Sequence, residues 1–217
     1  MLASDPLREL VMPYRAAAIV LAWMIAGCST SAVDDTPSSA ALSKTAPAAS
    51  RVDGLRAWDQ VYSVLTHPRC INCHTATGYP QQGDDRHRHL FHVVRGPDGH
   101  GVPGLNCATC HQDANNDAVG VPGERGWHLA PLSMAWQTLD DKPLSSAEVC
   151  RAVTDRSKNE NMDGPALLKH HQDAPLVLWA WRPGRSLDGA NRTLPPMTHS
   201  EFVEATRKWV EAGTPCP

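Results

Sequence analysis

The sequence predicts a mainly α-helical fold with extensive loops, and three observations carry that expectation. Several stretches place apolar residues at helical period directly behind residues that cap helix N-termini. Gly96-Pro97-Asp98-Gly99-His100-Gly101 and Gly120-Val121-Pro122-Gly123 are turn chemistry rather than helix or strand. Finally, Cys70-Ile71-Asn72-Cys73-His74 and Cys107-Ala108-Thr109-Cys110-His111 repeat one Cys-x-x-Cys-His pattern, the second starting 37 residues after the first.

From the N-terminus, Arg8 and Arg15 precede an apolar run from Ala16 to Ala26 that ends at Ile25-Ala26-Gly27-Cys28. The run has signal-peptide length and is too short to span a bilayer. A small-residue pair directly before a cysteine resembles the bacterial lipobox, in which that cysteine is acylated and becomes the mature N-terminus. The alternative is an ordinary secretory signal with Cys28 incidental. Residues 1–27 are thus expected to be a lipoprotein-type signal peptide, with lipid on Cys28 anchoring the protein to a membrane in the bacterial periplasm. The stretch from Ser29 to Ser50 is nearly all Ser, Thr, Ala, Pro and Asp, so residues 28–52 read as a flexible tether. Residues 53–217 are enough for one domain.

Within that domain, Asp53 can cap a helix through Leu55, Val61 and Leu65 that leads into the first motif. Ser145 with Glu148 has capping-box spacing ahead of a helix through Cys150 and Val153. A further helix is expected after Asp163, carrying Ala166, Leu167 and Leu168, and another near Asp173, carrying Leu176, Val177, Trp179 and Ala180. Thr198 with Glu201 repeats the capping box before Phe202, Ala205, Trp209 and Val210, and Gly213 and Pro215 end that last helix. The tryptophans read as core packing. Cys150 and Cys216 are left over from the motifs; outside the cytoplasm such a pair favours a disulfide, with two free buried thiols as the alternative.

The Cys-x-x-Cys-His pattern is the attachment signature of c-type haem. Two cysteines three apart share one face of a helical turn and can form thioethers to one porphyrin, while the following histidine becomes the proximal iron ligand. Cys70, Cys73, Cys107 and Cys110 are therefore expected to hold two covalently bound c-type haems, with His74 and His111 as proximal ligands. A four-cysteine zinc site would not require a histidine after each pair, and no βαβ pattern supports a thioredoxin-like site. The close spacing excludes two separate cytochrome domains. The haems must share one fold and are expected to supply much of its core, which suits a chain whose only phenylalanines are Phe91 and Phe202.

The iron's sixth ligand decides between electron transfer and reactions at an open position. Histidines crowd the stretch after the first motif: His87, His89, His92 and His100. A short internal echo chooses among them, because Asp85-Arg86-x-x-His89-Leu90 matches Glu124-Arg125-x-x-His128-Leu129. It suggests a degenerate repeat with His89 and His128 as distal ligands, Arg86 and Arg125 being placed to pair with propionates. His92 is the rival, a histidine from one repeat can serve the other repeat's haem, and His67 can reach only the other haem. Met134 and Met197 are the candidate thioether ligands. Met162 reads as a surface or cap residue, His170-His171 as a solvated helix end, and His199 as an exposed first-turn residue.

His67-Pro68-Arg69-Cys70-Ile71-Asn72-Cys73-His74, Arg95-Gly96-Pro97-Asp98-Gly99, Gly126-Trp127-His128-Leu129-Ala130-Pro131 and the ending Gly213-Thr214-Pro215-Cys216-Pro217 together resemble a family of small bacterial dihaem proteins often labelled "isoquinoline 1-oxidoreductase subunit". The resemblance runs from about Trp58 to the end. It implies a c-type cytochrome serving a molybdenum hydroxylase; the chain has neither a molybdopterin-sized domain nor iron–sulfur cysteine runs. In arrangement alone the chain also resembles the small dihaem subunit of periplasmic nitrate reductase, whose haems are bis-His. The expected function is electron transfer between a dehydrogenase donor and a respiratory acceptor. The alternatives are a dihaem peroxidase-like enzyme with one open haem, and a non-catalytic docking subunit of a larger oxidoreductase. A formal net charge of −3 names no polyanionic partner, and no nucleic acid is expected.

Overall fold

Helix α1 (Ala48–Leu65) opens the computed structural model, which describes residues 48–217. The expected signal peptide, Cys28 and the tether as far as residue 47 lie outside the described residues. Residues 48–52, expected as the end of the tether, are the first turns of α1. Asp53 is accordingly not a cap: it lies inside the helix, exposed, 3.4 Å from Arg56. The C-terminal tail packs beside these first turns. Arg51 donates to the Cys216 carbonyl at 3.3 Å, and a Cβ on the buried Gly54 would lie 2.5 Å from Ala212 Cβ and 2.7 Å from Pro215 Cγ, so only glycine admits this approach.

Five more helices follow: α2 (Pro68–Ile71), α3 (Ser146–Thr154), α4 (Gly164–Asp173), α5 (Pro175–Trp179) and α6 (His199–Glu211). Local chemistry sets their starts. Ser145 and Glu148 close a reciprocal capping box on α3, Thr198 and Glu201 close one on α6, and the Asp163 side chain accepts from the Ala166 amide at the head of α4. α1 packs against α6 and α3, and α4 against α6 and α5. Their shared apolar core contains Trp58, Val61, Val64, Val149, Val153, Leu167, Phe202 and Trp209. The Trp58 and Trp209 rings meet at 4.8 Å, and each indole N–H is satisfied, on Ser146 Oγ at 2.8 Å and the Pro215 carbonyl at 3.0 Å. Met162 packs against this core rather than serving as a surface residue.

Between α2 and α3 the chain forms three two-stranded antiparallel ribbons, which the sequence reading had as loops. They are β1 (Gln81–Gln82) with β2 (His87–Arg88), β3 (Gly101–Val102) with β4 (Leu105–Asn106), and β5 (Ala114–Asn116) with β6 (Val121–Glu124). The expected turn at Gly120–Gly123 is thus mostly strand. Pro122 is tolerated because each strand of a two-stranded ribbon has a free edge. Pro80 is the one aliphatic side chain buried between Asn72 and His128, where no aromatic one is. The other side chains buried there are polar: Asn72, Thr75, Thr77, Gln81 and Arg95. The helices therefore supply their own apolar core, and the expectation that haem faces form much of it narrows to this ribbon region.

Cys150 and Cys216 are joined in a disulfide, with Cα atoms 5.6 Å apart across 66 residues of sequence. All described residues belong to one compact unit, and among them no helix is long and apolar enough to cross a membrane.

Of the tandem histidines, His170 is exposed near the end of α4 as expected, and His171 is not. His171 is buried one helical turn after Leu167 on the inner face of α4. Its Nδ1 donates to Thr206 Oγ1 at 3.0 Å, because the Thr206 hydroxyl is itself spent on the Phe202 carbonyl. His199, half-buried rather than exposed, donates from Nε2 to the His171 carbonyl at 2.9 Å. Burial pushes the His171 pKa from 6.5 down to about 3, with positive charge on His170, His74 and His199 adding to the effect. The folded chain therefore keeps this ring neutral while the unfolded chain protonates it. Its stabilising contribution is complete above pH 6.5 and drains away as pH falls toward 3. At about 1.4 kcal/mol per pH unit, some 2 kcal/mol is lost by about pH 5. Urea unfolding at neutral pH and at about pH 5 should show a drop in midpoint that is smaller in His171→Leu by this one ring's share, His74 contributing its own; equal drops in both proteins would refute the assignment.

Candidate metal centres

The first motif is built on α2. The His67 ring caps the helix, its Nδ1 accepting from the Arg69 amide at 3.2 Å, and Pro68 occupies the first turn. His67 is thus engaged in its own helix. The Cys73 and His74 amides both return to the Cys70 carbonyl at 3.1 Å, which brings the two thiols to one side of the turn. Burial pushes the Cys70 thiol up to about 12, with the neighbouring Cys73 adding, and the Cys73 thiol up to about 11, with Cys107 adding.

Behind the motif, His74 Nδ1 donates to the Met134 carbonyl at 2.8 Å. Its ring lies flat on Trp136, with centroids 3.4 Å apart and planes within 5°. The Trp136 amide donates to the His74 carbonyl at 2.9 Å, so the strip from Met134 to Trp136 grips this histidine by ring and backbone together. Burial lowers the His74 pKa to about 3; the bond to Met134 opposes the shift, and positive charge on His170, Arg95 and His128 adds to it. The ring is therefore neutral, its Nδ1 is occupied, and Nε2 is the nitrogen left to bind metal. Met134 contributes its carbonyl on the Nδ1 side, while its side chain is packed into the helical core.

The second motif repeats these devices on different elements. After β4, Asn106 Oδ1 accepts from the Ala108 amide at 3.0 Å and caps a 3-10 turn over Cys107–Thr109. The His111 amide returns to the Cys107 carbonyl at 2.9 Å. His111 Nδ1 donates to the Pro122 carbonyl of β6 at 2.6 Å, and its ring stacks on Trp127 at 4.5 Å, with planes within 7°. Trp179 of α5 meets Trp127 edge-on at 4.8 Å and anchors its indole N–H on Asn115 at 3.0 Å. Burial again lowers the His111 pKa, the Pro122 bond opposing and His89 and Arg192 adding. A Cβ on Gly123 would lie 2.3 Å from the Ala114 carbonyl oxygen, so glycine is what lets β6 reach the motif.

This donor set suits covalent haem: two cysteines on one turn, then a neutral histidine whose Nδ1 is held by a backbone carbonyl and whose face is backed by tryptophan. No protein-family profile, curated protein or solved structure matches the chain. The reading rests on its own residues.

The echo after each motif does not become a geometric repeat. His89, half-buried, stands beside the second motif: its ring is 5.9 Å from that of His111, at 72°. His128 stacks on His100 at 5.0 Å and donates from Nδ1 to the Gly126 carbonyl at 2.5 Å. The two copies diverge because the first follows ribbon β1–β2 and the second follows β6. Arg86 is turned into the fold, on the Gln137 side-chain oxygen and the Asp141 carbonyl, whereas Arg125 is exposed; the two are not equivalent propionate partners. The rival His92 is exposed on a left-handed backbone, with φ at 50°. Met197 packs against the helical core and offers its carbonyl to Trp181 at 2.7 Å. His170 keeps an open face yet is surrounded enough for burial to lower its pKa, and it is among the charges that act on His74.

Sequence reasoning missed Trp136 and Trp127 as ring supports, and the Met134 and Pro122 carbonyls that orient the two histidines. It also missed Arg95, a buried guanidinium that donates to the carbonyls of Thr75 at 2.7 Å, Ala130 at 2.5 Å and Thr77 at 3.3 Å. Nothing in the motif spacing announces these partners, which lie up to 62 residues away, as Trp136 does from His74.

Proposed function

We propose that this chain is a dihaem c-type cytochrome that carries electrons between a periplasmic dehydrogenase and a respiratory acceptor, held at a membrane by lipid on Cys28. The observation that carries the reading is the duplicated support behind His74 and His111: in both, a carbonyl takes Nδ1 and a tryptophan backs the ring. Haem, when bound, supplies a one-electron iron couple. The chain's part is to present the four cysteine sulfurs, fix the tautomer of each histidine, and keep both rings neutral and rigid. Cys73 and Cys107 are near enough for one to affect the other's ionisation, which favours treating the motifs as one redox unit. The resemblance to the isoquinoline 1-oxidoreductase subunit family makes a molybdenum hydroxylase the proposed donor.

The test is the mass and visible spectrum of the full chain produced with a c-type maturation system. Two covalent haems per chain are expected, and one in Cys107→Ser/Cys110→Ser. A chain that carries none, or that binds zinc through the four cysteines instead, would refute the reading.

A further inference from the structure

We propose that His89, which follows the first motif in sequence, is the sixth ligand of the iron held by His111 of the second motif, so that the first half of the chain completes the second half's site. The inference rests on the dihaem reading and deepens it. With metal–imidazole bonds of about 2 Å, two rings that share one metal have centres roughly 6 Å apart; those of His89 and His111 are 5.9 Å apart.

Their tautomers agree with that role. His111 Nδ1 is held by the Pro122 carbonyl at 2.6 Å and His89 Nδ1 by the Leu90 carbonyl at 2.7 Å. A carbonyl can only accept, so Nδ1 carries a proton in both rings, and in a neutral ring of that tautomer the lone pair lies on Nε2. In that tautomer neither Nε2 can donate to the other ring, and two Nε2 lone pairs at this ring separation suit a metal.

His89 is also held in place. Its amide donates to the Pro80 carbonyl at 3.0 Å, and the next amide, of Leu90, donates to Gln82 Oε1 at 3.0 Å. The residue leaves the end of β2, whose His87 pairs with Gln82 of β1. A ligand mounted on a fixed ribbon is positioned with little freedom to lose on binding. The competing histidines are placed otherwise: His92 points from an exposed left-handed turn, and the His128 ring is stacked on His100.

Two single-motif forms of the full chain separate this assignment from ligation within one repeat. Cys70→Ser/Cys73→Ser keeps only the second haem, and Cys107→Ser/Cys110→Ser only the first. Haem per chain is counted first by mass. Low-temperature EPR of the oxidised protein and carbon monoxide binding by the reduced protein are then recorded with and without His89→Gly. In the chain that keeps the second motif, His89→Gly is expected to turn the haem from low-spin to high-spin, to admit one carbon monoxide per chain, and to regain the low-spin signal with added imidazole. In the chain that keeps the first motif it should change nothing. The reverse pattern, or no change in either chain, overturns the assignment while leaving the haem count intact. A wild-type chain without haem overturns the dihaem reading, and this inference with it. Should the single-motif chains fail to accumulate, a crystal structure of the two-haem protein decides: His89 Nε2 on the iron of His111 supports the proposal, and any other sixth ligand there overturns it.

Discussion

Arg95→Leu is expected to lower the unfolding free energy by about 4 kcal/mol, because it orphans two buried carbonyls and one half-buried one at once and each costs about 1–3 kcal/mol. The guanidinium fork of Arg95 reaches Thr75, Thr77 and Ala130, and among the described residues it forms no ion pair. Burial disfavours its charge, so the three carbonyls are what repay its desolvation. The effect reaches beyond stability. Thr75 and Thr77 follow directly on His74, and Ala130 lies in the strip that runs on to Met134 and Trp136. Arg95 therefore ties the chain that carries the ring to the chain that supports it. Arg95→Lys should recover only part of the loss, since one ammonium on a flexible stem cannot serve three carbonyls in a fixed fork. Urea denaturation of the three proteins is the measurement; a loss under 1 kcal/mol for the leucine variant would show that the carbonyls find other donors.

Removing the Cys150–Cys216 disulfide, as Cys150→Ala/Cys216→Ala, should have an effect of similar size. The bridge closes 66 residues, and the chain-entropy relation gives about 4 kcal/mol for a loop of that length. For a chain of this size that corresponds to a fall in melting temperature of roughly 10 °C. The tail it pins is also held by Thr214 donating to the Trp209 carbonyl at 2.9 Å and by Trp209 Nε1 on Pro215. The alanine variant should therefore still fold, less stably, and α1 should lose protection from hydrogen exchange because its first turns pack on that tail. Thermal melts with and without reductant check this. A wild-type melt that reductant leaves unchanged, with thiol assays showing the bridge open, would contradict it.

What was legible in the sequence was local chemistry. Ser145 with Glu148, Thr198 with Glu201, and Asp163 announce their helices because a cap is a contact between residues three apart. The motif turns were legible for the same reason. Burial of His171 was written in its spacing from Leu167, four residues earlier on one helix face, but the adjacent His170 made the pair look solvated. The ribbons were not legible: strands of two to four residues carry too little alternation to read, and Gly101, Pro122 and Gly123 within them read as turn residues. Nor were the partners of His74 and His111, since a stack on Trp136 or a bond to Pro122 comes from the path of the chain. The Arg-x-x-His-Leu echo sets His89 and His128 in different surroundings for that reason; three identical residues do not fix where two loops go.

The half-buried thiols of the first motif bear on the reactivity of the folded chain. A cysteine reacts as thiolate, and the closed fold holds Cys70 and Cys73 as protonated thiols, at about 12 and about 11, while Cys110 stays exposed. In the folded chain the half-buried Cys70 and Cys73 are therefore slower to react than the exposed Cys110, and Cys107, half-buried with its pKa also raised by burial, stands with them. On the proposed dihaem reading, the first motif is expected to load more readily while the chain is still open, whereas Cys110 still offers a thiol once it has closed.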